Sequence, residues 1–280
     1  APTQPETTPA EETVGESYAL LGANGVVASG ECGDNLMWSV DANSTLTISG
    51  TGAMWDYWPT SDPSWHTDAP WAAYAPVKLV IEKGITYIGQ YAFAGLGLNG
   101  SVTLPEGVTS IGDSVFSSCR GLARVTIPES VMSIGDSAFY DCQNLTNIMI
   151  PENVTNIESC AFAWCLSLKN ILVSERNTAY VSVDGVLFNK DRTSLIAYPA
   201  GKESISYIIP GSVISIGDRS FNGCLRLSNV TIPNGVTSIG SYAFSSCHGL
   251  PSIIIPESVS SIKSAAFNGC DNLKDVYYTG

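Results

Sequence analysis

The protein has 280 residues, with 26 acidic and 13 basic side chains and a net charge of −13. This excess of acid argues against nucleic acid as a partner, because such binding depends on Lys and Arg neutralising phosphates. It also argues against docking on an anionic membrane surface. No apolar run approaches the roughly 18 residues of a membrane-spanning helix, so we expect no membrane insertion.

Residues 1–28 are rich in Pro, Thr, Glu, Ala and Gly. Such a composition buries too little apolar surface to order itself, which predicts a disordered, extended spacer. Residues 1–15 have neither the basic nor the apolar region of a signal peptide. We therefore expect that, if the protein is exported, its signal has already been removed.

Residues 29–76 are predicted to form an N-terminal β cap. Apolar and polar side chains alternate over 36–40 and 46–48, on either side of the turn-forming segment 41–44. This pattern is typical of a β-hairpin. The segment 41–45 also resembles the start of an EF-hand loop, but Leu46 and Gly52 stand where that loop needs a glycine and a glutamate, which excludes it.

An aromatic cluster follows the hairpin and consists of Trp55, Tyr57, Trp58, Trp65, Trp71 and Tyr74. These side chains could roof the first coil of a repeat array, whose ends need caps. Alternatively, Trp55, Trp58 and Trp65 could form a platform on which sugar rings stack, because Trp combines a flat apolar face with a polar handle. Both interpretations remain open at this point.

The rest of the chain repeats itself every 23 residues. The repeat is marked by Phe93, Phe116, Phe139, Phe162, Phe221, Phe244 and Phe267. Phe162 and Phe221 are 59 residues apart, which is two periods plus 13. The array is therefore predicted to contain one insertion, after which it resumes in register.

One repeat unit, residues 122–142, shows how the period translates into structure. Val125 and Ile127 alternate with other residues as in a half-buried strand. Pro128 cannot continue a hydrogen-bonded ladder, so the strand should end there. Phe139 and Cys142 then return apolar side chains to the interior. One such coil cannot bury its own faces, so the coils are expected to stack.

The motif I-P-x-x-V-x-x-I-G-x-x-A-F-x-x-C, complete at 127–142, resembles the repeat of BspA-like bacterial surface proteins. The resemblance covers residues 77–280 and implies a curved leucine-rich repeat solenoid with parallel strands on its concave face. It further implies a secreted or cell-surface bacterial protein that adheres to host or neighbouring-cell components. The segments 30–54 and 182–199 are similar to the module that precedes such arrays and to a hairpin found within them.

The insertion, at about 174–207, is expected to leave the stack as a hairpin. The chain ends at 276–280, midway through a strand-like unit. On the resemblance, we expect the native protein to continue and the last coil to be exposed here.

Six cysteines lie three residues after a repeat phenylalanine: Cys119, Cys142, Cys165, Cys224, Cys247 and Cys270. Leu96 holds the same place in the first unit, so the position accepts a plain apolar filler. We therefore predict reduced, buried thiols, whose pKa burial raises and whose reactivity it removes. Cys32 and Cys160 lie outside this pattern and their state is left open.

No catalytic, metal or cofactor site is predicted. The two histidines, His66 and His248, lie in unrelated segments, and no phosphate-binding glycine loop is present. Repeat acids such as Asp113 and Asp136 recur at a turn position, which indicates solvated turns rather than a catalytic pair. We therefore expect the protein not to be an enzyme and to need no cofactor.

The outward-facing strand positions are predicted to be Thr103, Thr126, Met149, Leu172, Thr231, Ile254 and Tyr277. A solvated sheet face is usually polar, so the apolar members Met149, Leu172, Ile254 and Tyr277 are candidates for partner binding. Flanking side chains or the inserted hairpin could instead cover them, or Tyr277 could merely belong to the exposed last coil. The sequence predicts a surface or secreted binding protein for a host or neighbouring-cell protein or a glycan. The alternatives are a carbohydrate-binding module that uses the Trp cluster and a structural spacer.

Overall fold

The computed structural model of the protein describes residues 25–60 and 67–279. Most of the predicted N-terminal spacer, together with Trp65 and His66, lies outside these residues. The described chain is a β-solenoid, as predicted, and its one helical element is a 3₁₀ helix, Pro70–Tyr74.

The strands are β1 (Val26–Gly33), β2 (Leu36–Asp41), β3 (Thr45–Gly50), β4 (Gly52–Ala53), β5 (Lys78–Ile81), β6 (Ile85–Ile88), β7 (Gly100–Thr103), β8 (Ser110–Ile111), β9 (Leu122–Thr126), β10 (Ser133–Ile134), β11 (Asn147–Ile150), β12 (Asn156–Ile157), β13 (Asn170–Val173), β14 (Tyr180–Val183), β15 (Val186–Asn189), β16 (Ser194–Ala197), β17 (Ser206–Ile208), β18 (Ser215–Ile216), β19 (Asn229–Thr231), β20 (Ser238–Ile239), β21 (Ser252–Ile255), β22 (Ser261–Ile262) and β23 (Asp275–Tyr278).

The N-terminal cap is a four-stranded sheet in the order β1-β2-β3-β5. The predicted hairpin is confirmed: β2 and β3 pair antiparallel, and Trp38 lies opposite Ile48. Their turn is closed by the Asp41 carboxylate, which accepts the backbone N–H groups of Asn43 and Thr45. These bonds, that of Thr45 first, lower the pKa of Asp41. Strand β5 pairs parallel with β3 and so joins the cap to the array.

Each coil of the array contributes to three walls. The long-strand wall consists of β5, β7, β9, β11, β13, β17, β19, β21 and β23, and the short-strand wall of β4, β6, β8, β10, β12, β16, β18, β20 and β22. The turns that carry the repeat phenylalanines form the turn wall. Pairing between neighbouring coils is parallel and in register, as for Ser110, Ser133 and Asn156 on the short-strand wall.

The repeat phenylalanines stack in a column inside the turn wall. The Phe139 ring lies 5.5 Å from Phe116 and 5.9 Å from Phe162 between centroids, with the rings nearly parallel. Trp71 extends the column beyond the first coil and is fully buried. Tyr198, which is 23 residues before Phe221 and stacks on it at 5.1 Å, occupies the position at which the insertion interrupts the phenylalanine series.

The insertion does not leave the stack, and this expectation from the sequence is wrong. Strands β14, β15 and β16 form an antiparallel meander whose last strand pairs parallel with β18. Val186, Leu187 and Phe188 of β15 are all fully buried. The apolar core consists of two clusters, one in the cap and the coils before the insertion (the first half) and one in the coils after it (the second half). Leu187 belongs to the first cluster, and Val186 and Phe188 belong to the second. Three consecutive apolar side chains require protein on both faces of the strand, so β15 divides the core.

Candidate functional site

A column of outward side chains runs along the long-strand wall, one from each strand. In a strand, alternate side chains point to opposite faces, so the buried residues on either side fix this middle position outward. Parallel pairing without slippage then aligns it between coils. Met149 lies beside Leu172 in the β11–β13 pair, and Ile254 lies beside Tyr277 in the β21–β23 pair.

The four candidate partner-binding residues are exposed. Met149 is 49% exposed, Leu172 41%, Ile254 55% and Tyr277 55%. Thr103, Thr126 and Thr231 take the same position in other coils and are also exposed. Neighbouring side chains therefore leave this column accessible to solvent, whereas its role in binding stays a prediction.

Two further members of the column were missed in the sequence. Val80 is 46% exposed and Ile208, which pairs beside Thr231, is 73% exposed. The signal was present, because each residue lies 23 positions before a threonine of the column. Met149 and Leu172 lie on paired strands, whereas Ile208 lies on β17, which pairs with β19 beyond the insertion. The adjacent apolar pair Met149 and Leu172 therefore borders the insertion.

Beside Met149 and Leu172, the column is flanked by neutral amide side chains. Two residues before Met149 and Leu172 lie Asn147 and Asn170, and the Asn170 amide donates a hydrogen bond to the Asn147 side-chain oxygen at 2.9 Å. Such an amide pair between adjacent coils presents fixed donors and acceptors beside the apolar column. A partner at Met149 and Leu172 would therefore meet apolar atoms edged by amides, whereas the same flanking position carries Lys78, Arg124 and Asp275 in other coils.

The predicted aromatic cluster separates into buried and exposed members. Trp71 is fully buried, contacts Trp38, Tyr57 and Phe93, and donates its indole N–H to the Ala92 carbonyl at 2.9 Å. This part of the cluster roofs the first coil. The predicted glycan-stacking residues differ: Trp55 is half-buried, Trp58 is 65% exposed and Trp65 lies outside the described residues.

The thiols carry no nucleophilic site. The prediction that the six ladder cysteines are free and buried is confirmed, and Cys32 and Cys160 are free as well. Burial raises the pKa of Cys165 to about 12 and the pKa of Cys160 to about 11. Thiolates are the reactive form, so these groups are inert near neutral pH.

Within residues 25–60 and 67–279, no group of three or more His, Cys, Asp or Glu side chains is arranged to hold a metal ion. Over the same residues, no helix is long and apolar enough to cross a membrane.

The architecture defines the class of protein: a leucine-rich repeat solenoid that presents a column of exposed side chains along its parallel strands. A family model described as "BspA type Leucine rich repeat region" matches residues 75–184 and 200–280 in six copies. The chain belongs to this family, and the resemblance noted in the sequence is confirmed.

Solved structures support the fold assignment. A leucine-rich repeat protein from Eubacterium ventriosum is 29% identical over 90% of this chain and 72% of its own, with a TM-score of 0.73. A leucine-rich cell surface protein from Faecalibacterium prausnitzii is 22% identical over 89% of this chain and 94% of its own, with a TM-score of 0.54.

The pneumococcal vaccine antigen PcpA is also 22% identical, over 89% of this chain and 81% of its own, with a TM-score of 0.60. At 22% identity, this structure and that from Faecalibacterium prausnitzii show similarity of fold alone. No curated protein matches the chain.

Proposed function

We propose that the chain is a non-enzymatic binding protein of the bacterial cell surface or extracellular space that docks a protein of a host or neighbouring cell on its long-strand wall. The observation that carries this proposal is the exposed apolar column, above all the adjacent pair Met149 and Leu172. Exposed apolar patches of this kind mark interaction sites more often than they serve the fold.

The same position in other coils shows that the apolar side chains are dispensable for folding. Thr103 lies opposite Thr126, and Thr231 lies opposite Ile208, in the same parallel arrangement in which Met149 lies opposite Leu172. Threonine also suits a strand and would avoid exposing apolar surface to water. The apolar side chains at 149 and 172 therefore call for an explanation outside the fold.

A protein is the partner that best fits the chemistry of this wall. Protein interfaces combine an apolar centre depleted of charge with a polar rim that makes hydrogen bonds. The column supplies the centre, and the amides of Asn147 and Asn170 supply a rim. A strongly anionic or cationic polymer would find no matching charge beside Met149 and Leu172.

The proposed location at the cell surface is based on the descriptions of proteins with a similar structure. The Faecalibacterium prausnitzii protein is described as a cell surface protein and PcpA as a vaccine antigen. Both descriptions are consistent with export of a relative of this chain. The inert thiols and the family's repeat architecture support a role in binding rather than catalysis.

An array of host extracellular-matrix and serum proteins, probed with four forms of the protein, tests the proposal. The forms are the unchanged chain, residues 77–280 alone, the variant Met149→Thr/Leu172→Thr and the control Met132→Thr/Ile214→Thr. Met132 and Ile214 are 51% and 49% exposed but lie outside the long-strand wall, so the control removes comparable apolar surface.

We expect at least one array protein to bind the unchanged chain and the control alike, with binding lost in Met149→Thr/Leu172→Thr. Residues 77–280 contain the whole column but lack β3 and Trp71, which cover the first coil. Their binding is therefore compared with that of the unchanged chain after circular dichroism has shown that the fragment is folded. Equal binding by the two double variants would overturn the assignment of this wall. Absence of any protein ligand would favour the structural spacer.

A further inference from the structure

The part of the turn wall before the insertion is hydrogen-bonded directly to the part after it, although the coil that contains Tyr198 lies between them in sequence. Within each half, the backbone N–H two residues after the repeat aromatic donates a hydrogen bond to a backbone carbonyl of the next coil. Examples are the bond from Ser118 to Tyr140 at 2.7 Å and the bond from Gly223 to Ser245 at 3.0 Å. The N–H of Trp164 makes the equivalent bond to the Asn222 carbonyl at 3.4 Å and so skips one coil.

The short-strand side of the molecule is widened at the same place. Strands β14, β15 and β16 precede β18 in one six-stranded sheet. Paired strands lie about 4.8 Å apart, so this side gains width while the turn wall loses a coil.

A cleft of about 480 Å³ lies at this junction, within the range of about 300–1,000 Å³ typical of ligand sites. The first half contributes Tyr140 and Trp164 to its lining, and the second half contributes Arg219, Asn222 and Tyr242. Five serines, one carboxylate (Asp136) and Tyr91 complete the lining. The cleft is thus aromatic and rich in neutral hydrogen-bonding groups, with one charge of each sign.

Contacts within and across the cleft hold its side chains in place. The Arg219 guanidinium lies over the Tyr242 ring, 4.9 Å from its centroid. Arg219 and Tyr140, which come from opposite halves, line the same cleft. The Trp164 ring packs on Gly223, where an added Cβ would come within 3.3 Å of the ring.

The bulky residues of the cleft stand at positions where the backbone disfavours them. Trp164, Arg219 and Tyr242 have φ values of 61°, 52° and 54°, in the left-handed region. At the repeat position of Trp164, other coils carry Gly95 and Gly269. The same positions are left-handed in other coils, as at Ser114 and Ser118, so this backbone geometry belongs to the repeat turn. The fold does not require large side chains there, and their presence is what distinguishes the cleft.

One buried polar atom in the lining is left without a partner. Asn222 is 6% exposed, and its Nδ2 donates to the Ser245 carbonyl. Its Oδ1 accepts no hydrogen bond from residues 25–60 or 67–279. Buried acceptors are nearly always satisfied, so an unpaired one in a cleft is a place for a ligand donor. A hydroxyl group would supply that donor.

We propose that this cleft binds a short neutral glycan. A sugar ring has an apolar face that stacks on Tyr or Trp and hydroxyl groups that bond to serine and amide side chains. Asp136 and Arg219 balance each other, so a polyanion finds no basic surface here. This site is separate from the long-strand wall, and neither proposal depends on the other.

The test is a glycan array that carries neutral hexose and N-acetylhexosamine oligosaccharides beside sialylated and sulfated ones, followed by calorimetric titration of the best neutral glycan. Trp164→Gly removes the indole ring and introduces glycine, the residue that other coils carry at this repeat position. Asn222→Ser removes the unpaired acceptor and matches Ser117 and Ser245 at its repeat position. The control is Met132→Thr/Ile214→Thr.

We expect a neutral glycan to bind and each cleft variant to weaken it about tenfold or more, as loss of one stacking or buried polar contact implies. The control and Met149→Thr/Leu172→Thr should bind within about twofold of the unchanged chain. A Trp58→Ala variant tests whether the glycan binds to the N-terminal aromatic cluster instead of the cleft. Loss of binding in that variant alone would overturn the cleft assignment. Binding confined to acidic glycans, or no glycan binding at all, would also overturn it.

Discussion

The thiol of Cys142 donates a hydrogen bond to the carbonyl oxygen of Phe116, one coil earlier, at 3.1 Å. The same carbonyl accepts the backbone N–H of Cys119 at 3.1 Å. Equivalent S–H bonds to the phenylalanine of the preceding coil occur at Cys119, Cys165, Cys247 and Cys270, at 3.0 to 3.2 Å. Cysteine recurs here because it fills a small buried space and also donates a second hydrogen bond to a buried carbonyl, whereas Leu96 can only fill the space.

Replacement of Cys142 by Ala is expected to lower the free energy of unfolding by about 1–2 kcal/mol. The loss combines the buried sulfur and one weak hydrogen bond to Phe116. Urea denaturation at pH 7 measures it, and an unchanged midpoint would show that the position is not packed. In the unchanged chain, the S–H stretching band should lie at lower frequency when folded than when unfolded.

The stability of the protein should fall as the pH rises above about 9. Burial holds the pKa of Cys142 well above its ordinary value of 9.0, so the thiol ionises in the unfolded chain before it does in the folded one. Stability is therefore fully present below pH 9 and declines above it, by roughly 0.5–1 kcal/mol per buried thiol between pH 8 and 9.5.

Urea midpoints at pH 8 and 9.5, compared between the unchanged chain and Cys142→Ala, isolate this effect. The variant should lose less stability than the unchanged chain, by the contribution of one thiol. Identical losses would mean that Cys142 does not titrate differently in the two states.

Strand β15 should be indispensable to the fold. Phe188 is fully buried in the second core, so Phe188→Ala is expected to cost about 3–5 kcal/mol of stability. Asp191→Ala, at the exposed turn of the same hairpin, should change stability by less than about 0.5 kcal/mol. If both variants unfold at the denaturant midpoint of the unchanged chain, β15 is an appendage, as the sequence had suggested.

Asn177 should be the most sensitive polar residue of the junction. It is fully buried, donates to the carbonyls of Pro151 and Val154, and accepts the backbone N–H groups of Ala179 and Tyr180. Asn177→Ala leaves these groups unpaired and should cost about 2–4 kcal/mol.

The control for this change is Asn153→Ala, an exposed asparagine with a single hydrogen bond to the Glu129 carbonyl, where we expect a loss below about 1 kcal/mol. Thermal unfolding followed by circular dichroism compares the two variants. A larger loss at Asn153 than at Asn177 would contradict the assigned role of Asn177.

The sequence predicted the regular part of the solenoid because the same short-range rules apply in every coil. Alternation, Pro128 and the 23-residue spacing are sufficient to place the strands, the outward column and the stacked phenylalanines. The hairpin was misplaced, although two signals were available. The run Val186–Phe188 is apolar without alternation, and Tyr198 lies one period before Phe221.

The cleft could not be predicted in the same way. Its existence depends on the hydrogen bond between Trp164 and Asn222, which joins coils that are not consecutive. Periodicity describes contacts between neighbouring coils and assumes that none is skipped. The remaining local signal was that the large side chains Trp164 and Tyr242 stand where other coils carry Gly95 and Ser114.

Hydrogen–deuterium exchange, measured with and without the strongest protein ligand from the array, tests most directly whether the long-strand wall is the docking surface. Binding there should slow exchange in β11 and β13, which carry Met149 and Leu172, and leave β10 and β20 of the short-strand wall unchanged. Protection confined to β10 and β20, or to the turn wall, with β11 and β13 unaffected, would contradict the proposed function.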